Sequence, residues 1–181
     1  MLNRWFCFVF ALLSFLISQP GSAQGKEGKT ERLIKIREKT RAINTETNYK
    51  VVRLEDAELI LGHATDGGAS LTGYYKDGAL QKIIEWVGLS NRVIQNEYYF
   101  DSGKLIFVYA TESQYAFNDS LQSLDYTKLI PVSNGRYYFE NNQLSDVILA
   151  KKSLEKSKKE DAKSFLHRVK AYKTLLDKKR N

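Results

Sequence analysis

The chain has 181 residues, a formal net charge of +7 and a single cysteine. Because that cysteine is Cys7, everything after it lacks a thiol, which excludes cysteine nucleophiles, thiolate metal sites and disulfides. Residues 24–50 carry 8 basic and 4 acidic side chains and residues 151–181 carry 12 and 4, but residues 51–150 carry 7 and 13. This acidic central region argues against a nucleic-acid-binding protein.

The N-terminal residues have the pattern of a secretory signal peptide. Arg4 precedes an apolar run from Trp5 to Ile17, and small residues end the segment at Ala23. We predict that residues 1–23 are a signal peptide cleaved after Ala23, so that residues 24–181 form a single periplasmic or secreted domain. A membrane anchor is the alternative, but the apolar run is shorter than a membrane span. The absence of disulfides after Cys7 favours a bacterial periplasm.

The first part of the mature chain predicts a helix and a short strand. Apolar residues recur at helical spacing between about Thr30 and Asn44, which predicts an amphipathic helix. Residues 49–53 are predicted to form a strand, whereas residues 57–61 fit either a strand or a helical turn. The consecutive glycines Gly67 and Gly68 end this region.

One sequence phrase then occurs three times: two aromatic residues, a polar residue, a two-residue turn, one further residue and a leucine. Its copies are Tyr74–Leu80, Tyr99–Leu105 and Tyr138–Leu144. The turn residues are Asp-Gly, Ser-Gly and Asn-Asn, which adopt the positive φ values that a type I′ hairpin turn requires. The phrase therefore predicts three β-hairpins, and in the second we expect Tyr98 to lie opposite Phe107.

The remaining segments complete the fold prediction. Residues 112–128 are polar with loosely spaced aromatics and predict a loop, long enough to suggest a function. A second amphipathic helix begins near Lys151 or at Ser157, which matches a capping box, and continues to the C-terminal region. The prediction is an α+β fold: an antiparallel β-meander of about six strands, packed on one face with an N-terminal and a C-terminal helix.

No motif predicts catalysis, a cofactor or a metal. His63 and Asp66 could form a base with its orienting carboxylate, but they equally fit an exposed loop without a nucleophile. The other histidine, His167, lies about a hundred residues away, and no calcium-binding or phosphate-binding loop is present. We therefore predict no catalytic residue, no cofactor and no metal site.

The aromatic residues predict a binding surface. The candidates are Tyr74, Tyr99, Tyr115, Phe117 and Tyr138, which would contact a protein or a glycan of the cell envelope, and not nucleic acid. The basic segment Lys151–Arg180 either makes a peripheral contact with an anionic membrane or wall polymer or is simply solvated. The oligomeric state is left open.

The Tyr-Tyr-x-Asp-Gly-x-Leu and Tyr-Tyr-Phe-Asp-x-Gly-Lys-Leu phrases of residues 73–148 resemble the hairpins of MORN-like repeat proteins and small uncharacterised exported proteins of Bacteroidetes-type bacteria. The spacing is irregular for a repeat array, because Tyr74 and Tyr99 are 25 residues apart and Tyr138 follows 39 residues later. The resemblance implies a binding or scaffolding module and carries over no catalytic residue.

These observations lead to one functional prediction and two alternatives. We predict an exported, non-enzymatic binding domain that uses an aromatic-rich sheet surface. The first alternative is a cell-envelope hydrolase in which carboxylates such as Glu85, Glu97 and Asp101 share a cleft. The second is an envelope-associated structural protein anchored by its basic C-terminal helix.

Overall fold

A computed structural model describes residues 23–150 and 155–180. The predicted signal peptide, except Ala23, and the start of the basic segment, 151–154, lie outside these ranges. The elements are α1 (Ala23–Thr45), β1 (Lys50–Leu54), α2 (Ala57–Leu61), β2 (Ala69–Lys76), β3 (Ala79–Gly88), β4 (Arg92–Asp101), β5 (Lys104–Asn118), β6 (Ser123–Glu140), β7 (Gln143–Leu149) and α3 (Glu155–Arg180).

The described strands form one sheet in which each pairs with its neighbour in sequence, always antiparallel. The α+β class and the antiparallel meander are confirmed. The sheet has seven strands and not about six, because β1 also pairs with β2 and forms an edge. Residues 57–61, which fitted a strand or a helical turn, are the short helix α2, capped by the Asp56 side chain at the Leu59 amide.

The three repeated phrases form three hairpins with the same geometry. Both central turn residues have positive φ in each: Asp77 and Gly78, Ser102 and Gly103, Asn141 and Asn142. This agrees with the predicted type I′ turns. Each hairpin also has a one-residue bulge directly after its leucine, at positions 81, 106 and 145. Because of the bulge, Tyr99 and not Tyr98 lies opposite Phe107, and that pairing prediction was wrong.

The two long helices lie on opposite faces of the sheet. Tyr98 packs edge-on against Phe165 and Tyr172 of α3, whereas the hydroxyl of the next residue, Tyr99, donates to Asn44 of α1 at 3.1 Å. Successive strand residues point to opposite faces, so α3 covers one face and α1 the other. The prediction that both helices pack on one face was wrong. Each repeated aromatic pair supplies one ring to each face.

The main hydrophobic core lies between the sheet and α3. The helix buries residues at helical spacing against it: Ala162, Phe165, Val169, Tyr172 and Leu176. Gly73 of β2 permits the close approach of α3, because a Cβ at this position would lie 2.9 Å from Leu176 Cδ1. On the opposite face, Ile36 and Ile43 are the buried side chains among the α1 residues whose side chains are described, and the sheet contributes the buried Tyr99 and Tyr138. The α3 side is therefore the main source of packing energy.

Candidate functional site

The distal parts of β5 and β6 extend beyond the rest of the sheet. β4 pairs with β5 only as far as Gln114, and β7 pairs with β6 only from Gly135 onwards. Residues 115–129 therefore form a two-stranded ribbon, and residues 130–132 continue it along the free edge of β6; we call residues 115–132 the arm. It contains most of the 112–128 stretch predicted as a loop, which is strand on both sides of a short turn. In the turn, Asn118 Oδ1 accepts from the amides of Ser120 and Leu121.

Large apolar side chains on the arm are exposed to solvent. Six of the ten exposed large hydrophobic residues in the described ranges belong to it: Phe117 (56%), Leu121 (73%), Tyr126 (65%), Leu129 (46%), Ile130 (49%) and Val132 (36%). The arm has few charged side chains, since residues 115–132 contain two aspartates and one lysine. The concentration of exposed large apolar side chains on one segment favours a site of interaction.

The five aromatic residues predicted as binding candidates do not form one site. Tyr115 and Phe117 lie on the arm, where the Tyr115 ring packs edge-on against Tyr126 with centroids 4.9 Å apart. Tyr99 and Tyr138 are 2% and 1% exposed, since α1 covers them, so neither ring faces solvent.

Tyr74 lies on the same sheet face as Tyr99 and Tyr138 but is only half-buried. Its ring packs edge-on against Tyr49, with centroids 5.7 Å apart. Of the sheet tyrosines among the five candidates, Tyr74 alone keeps a partly accessible ring.

A buried polar cluster connects α3 to the sheet. The Glu85 carboxylate is completely buried and accepts hydrogen bonds from Asn96 Nδ2 (2.9 Å), the Tyr98 hydroxyl (2.6 Å) and the Tyr172 hydroxyl (2.5 Å). Arg168 of α3 forms an ion pair with it at 3.1 Å. Sequence reasoning did not identify this cluster. Since Glu85 is inaccessible to a substrate, the cluster acts by holding the helix on the sheet.

The carboxylates proposed for a hydrolase do not share a cleft. Glu85 faces α3, whereas Glu97 is opposite Ile84 on the other face of the sheet and pairs with Lys82 at 2.7 Å. Asp101 lies four residues further along β4 than Glu97, a separation of about 13 Å in a strand, and pairs with Lys39. Glycosidases hold two carboxyl groups together about 5–9.5 Å apart, whereas Glu97 and Asp101 are each bound to a different lysine.

The loop that contains His63 and Asp66 shows no catalytic arrangement among the described residues. The exposed His63 ring contacts the Ala64 carbonyl oxygen at 3.0 Å, and the Asp66 carboxylate accepts from the Ser90 hydroxyl. Across residues 23–150 and 155–180, no three histidine, cysteine or carboxylate side chains are grouped as a metal site would require. Within the same ranges, none of the helices is long and apolar enough to cross a membrane.

Burial raises the hydroxyl pKa of several tyrosines above the ordinary value of 10, most strongly for Tyr75, Tyr98, Tyr99 and Tyr172. For Tyr98 and Tyr172 the negative charge of Glu85 acts in the same direction. The pKa of Tyr75 reaches about 12. The native state therefore favours the protonated phenols.

We expect this preference to make folding stability fall at alkaline pH. A raised pKa contributes stability that is fully present below pH 10 and is lost as the pH rises through the folded-state values, to about 12 for Tyr75 and beyond for the others. Tyrosinate absorbance and urea unfolding, measured together between pH 8 and 13, test this expectation. Ionisation of all 11 tyrosines near pH 10, with no loss of stability, would contradict it.

Comparison of the chain with known proteins gives no relationship from which a function could be transferred. No protein family, curated protein or solved structure matches it. The resemblance to MORN-like hairpins therefore stays a prediction, and the function must be argued from the geometry of the chain itself.

Proposed function

We propose that the chain is an exported, non-enzymatic binding domain whose arm docks onto a protein of the cell envelope. The observation that carries this proposal is the concentration of exposed large apolar side chains on one protruding ribbon. Export is supported by the signal-peptide pattern of residues 1–23. The sheet and the two helices serve as the rigid support of the arm.

The chemistry of the arm suits a protein partner. The centres of protein interfaces are depleted in charged residues and enriched in aromatic residues, as the arm is. Phe117 and Tyr126 are exposed rings that can fill pockets on a partner, and Leu129 and Ile130 extend the apolar contact. With only Asp119, Asp125 and Lys128 as charged side chains, the arm has no basis for strong recognition of a charged polymer.

We expect that replacing Phe117, Leu121 and Tyr126 together by serine abolishes partner binding. Aromatic anchors at an interface contribute about 2 kcal/mol or more each. The affinity should therefore fall by about a hundredfold or more. The wild-type chain is used to capture a partner from an envelope fraction. The dissociation constant of the purified partner is then measured with both chains by calorimetry.

The matched control replaces three large apolar residues that are also about half exposed but lie elsewhere, namely Ile34 (46%), Val51 (52%) and Leu59 (51%). It should bind the partner as the wild type does, and both triple variants should unfold at the wild-type temperature. Equal loss of binding in the control would contradict the arm as the contact. Analytical sedimentation tests the alternative partner. If the arm variant loses only self-association, the partner of the arm is a second copy of this chain and not an envelope protein.

A further inference from the structure

A second surface, which is charged where the arm is apolar, lies beside α1. Salt bridges from Arg32 to Glu140, Lys39 to Asp101 and Lys76 to Glu46 place α1 across the strands near the three hairpin turns. The rest of this face stays uncovered by α1, and a cleft of about 570 Å³ remains where helix and sheet meet. Its lining includes Arg37 and Thr40 of α1 and Phe107, Tyr109, Arg136 and Ile148 of the sheet. Its volume is that of a small-ligand site.

The cleft carries two arginines that the described residues do not neutralise. Neither Arg37 nor Arg136 has a carboxylate partner within 4.0 Å in the described ranges, and no acidic side chain lines the cleft. Two acidic residues on this face are already paired: Glu97, which lies opposite Tyr109, with Lys82 at 2.7 Å, and Asp146, which lies opposite Tyr138, with Lys29 at 3.1 Å. The cleft is therefore complementary to an anionic ligand.

The floor of the cleft restricts the ligand further. The Arg136 guanidinium lies over the Tyr109 ring, 5.4 Å from its centroid, which keeps it next to an aromatic surface. The half-buried rings of Tyr109 and Phe107 suit the apolar face of a ring. The Tyr109 hydroxyl can donate to a ligand hydroxyl, and the Thr40 hydroxyl, which donates to the Arg37 carbonyl oxygen, can accept from one. Guanidinium groups bind carboxylates through two parallel hydrogen bonds.

We propose that this cleft binds a carboxylated sugar unit of an anionic polysaccharide. The sugar ring packs against Phe107 and the part of the Tyr109 ring that Arg136 does not cover, and its carboxylate pairs with Arg37 and Arg136. This site shares no residue with the arm, so the proposal does not depend on the protein-docking function. It gives the domain a glycan contact in addition to its protein contact.

The test is calorimetric titration of the purified full chain with three probes: a galacturonate oligomer, a neutral glucose oligomer of the same length, and inorganic phosphate. We expect binding of the galacturonate oligomer alone. Arg37→Gln and Arg136→Gln should each weaken it about tenfold or more, since each removes a charge-assisted hydrogen bond. The matched control is Arg41→Gln, which removes an exposed arginine one turn along the same helix, outside the cleft lining.

Arg41→Gln should leave the affinity unchanged, and all three variants should keep the wild-type unfolding temperature because their side chains are exposed. Four results would each overturn the proposal. The first is equal affinity for the neutral oligomer, and the second is phosphate binding as tight as that of the galacturonate oligomer. The third is an equal loss in Arg41→Gln, which would indicate general charge attraction. Absence of any binding heat at several temperatures overturns it as well.

Discussion

Glu85→Ala is expected to lower the free energy of unfolding by about 3–5 kcal/mol, the cost of removing one partner of a buried ion pair. In the native state Glu85 accepts from Asn96, Tyr98 and Tyr172 and pairs with Arg168. Removing its carboxylate leaves three buried donors without an acceptor, and it leaves the partly buried arginine without a counter-charge. Each unsatisfied donor alone costs roughly 1–3 kcal/mol.

Urea unfolding monitored by circular dichroism measures the effect. Glu85→Gln should cost less than the alanine variant, because the amide oxygen still accepts a hydrogen bond, although the charge that balances Arg168 is lost. The control Glu55→Ala removes an exposed carboxylate paired with Arg53 at 2.7 Å, and should change stability by less than about 1 kcal/mol. If Glu85→Ala and Glu55→Ala had similar effects, the cluster would not be what holds α3 on the sheet.

The hairpins could be predicted because their signal is local. A type I′ turn depends on residues that tolerate positive φ, and Asp77-Gly78, Ser102-Gly103 and Asn141-Asn142 carry that information in the turn itself. The bulges at positions 81, 106 and 145 could not be predicted, since glutamine, isoleucine and serine there share no bulge signature. The bulge shifts the pairing by one residue, which is why the partner of Tyr98 was assigned incorrectly.

The side of the sheet on which each helix packs could not be predicted from the sequence. The apolar stripes of α1 and α3 show that each helix buries one face, but Tyr98 and Tyr99 offer an aromatic ring to either side of the sheet. The arm was missed for a related reason. Register shifts at Glu112/Ser113 and Tyr115/Ala116 interrupt the alternation that would indicate a strand, so the segment resembled a loop.

The binding candidates were chosen by residue type, and burial separated them. Tyr99 and Phe117 are both aromatic residues on strands, yet one is 2% exposed and the other 56%. The sequence contains one indication of the Glu85 cluster: a carboxylate between Ile83 and Val87 on the buried face of a strand. A charged residue in that position needs partners, and Arg168 and Tyr172 on the apolar side of α3 supply them.

The second prediction concerns α3, for which a peripheral contact with anionic membrane or wall polymer was also proposed. A chain ending at residue 150 is expected to lose cooperative folding. Phe165, Val169 and Leu176 are buried, and each contributes roughly 1.5–3 kcal/mol. The loss of Arg168 and Tyr172 also leaves the buried charge of Glu85 without partners. The total loss of stability is therefore on the order of the 5–15 kcal/mol that stabilises a typical domain.

Truncation therefore cannot test the surface contact, and substitutions on the exposed face of α3 are required. Lys163, Lys170 and Lys178 are exposed, so changing all three to glutamine should preserve the thermal unfolding transition that truncation abolishes. Cosedimentation with anionic lipid vesicles, and with neutral vesicles as the control, then isolates the electrostatic contact. Since each lysine near an anionic surface contributes about 1 kcal/mol, a real contact would weaken by about a hundredfold in the triple variant. Unchanged sedimentation of the folded variant would restrict α3 to completing the core.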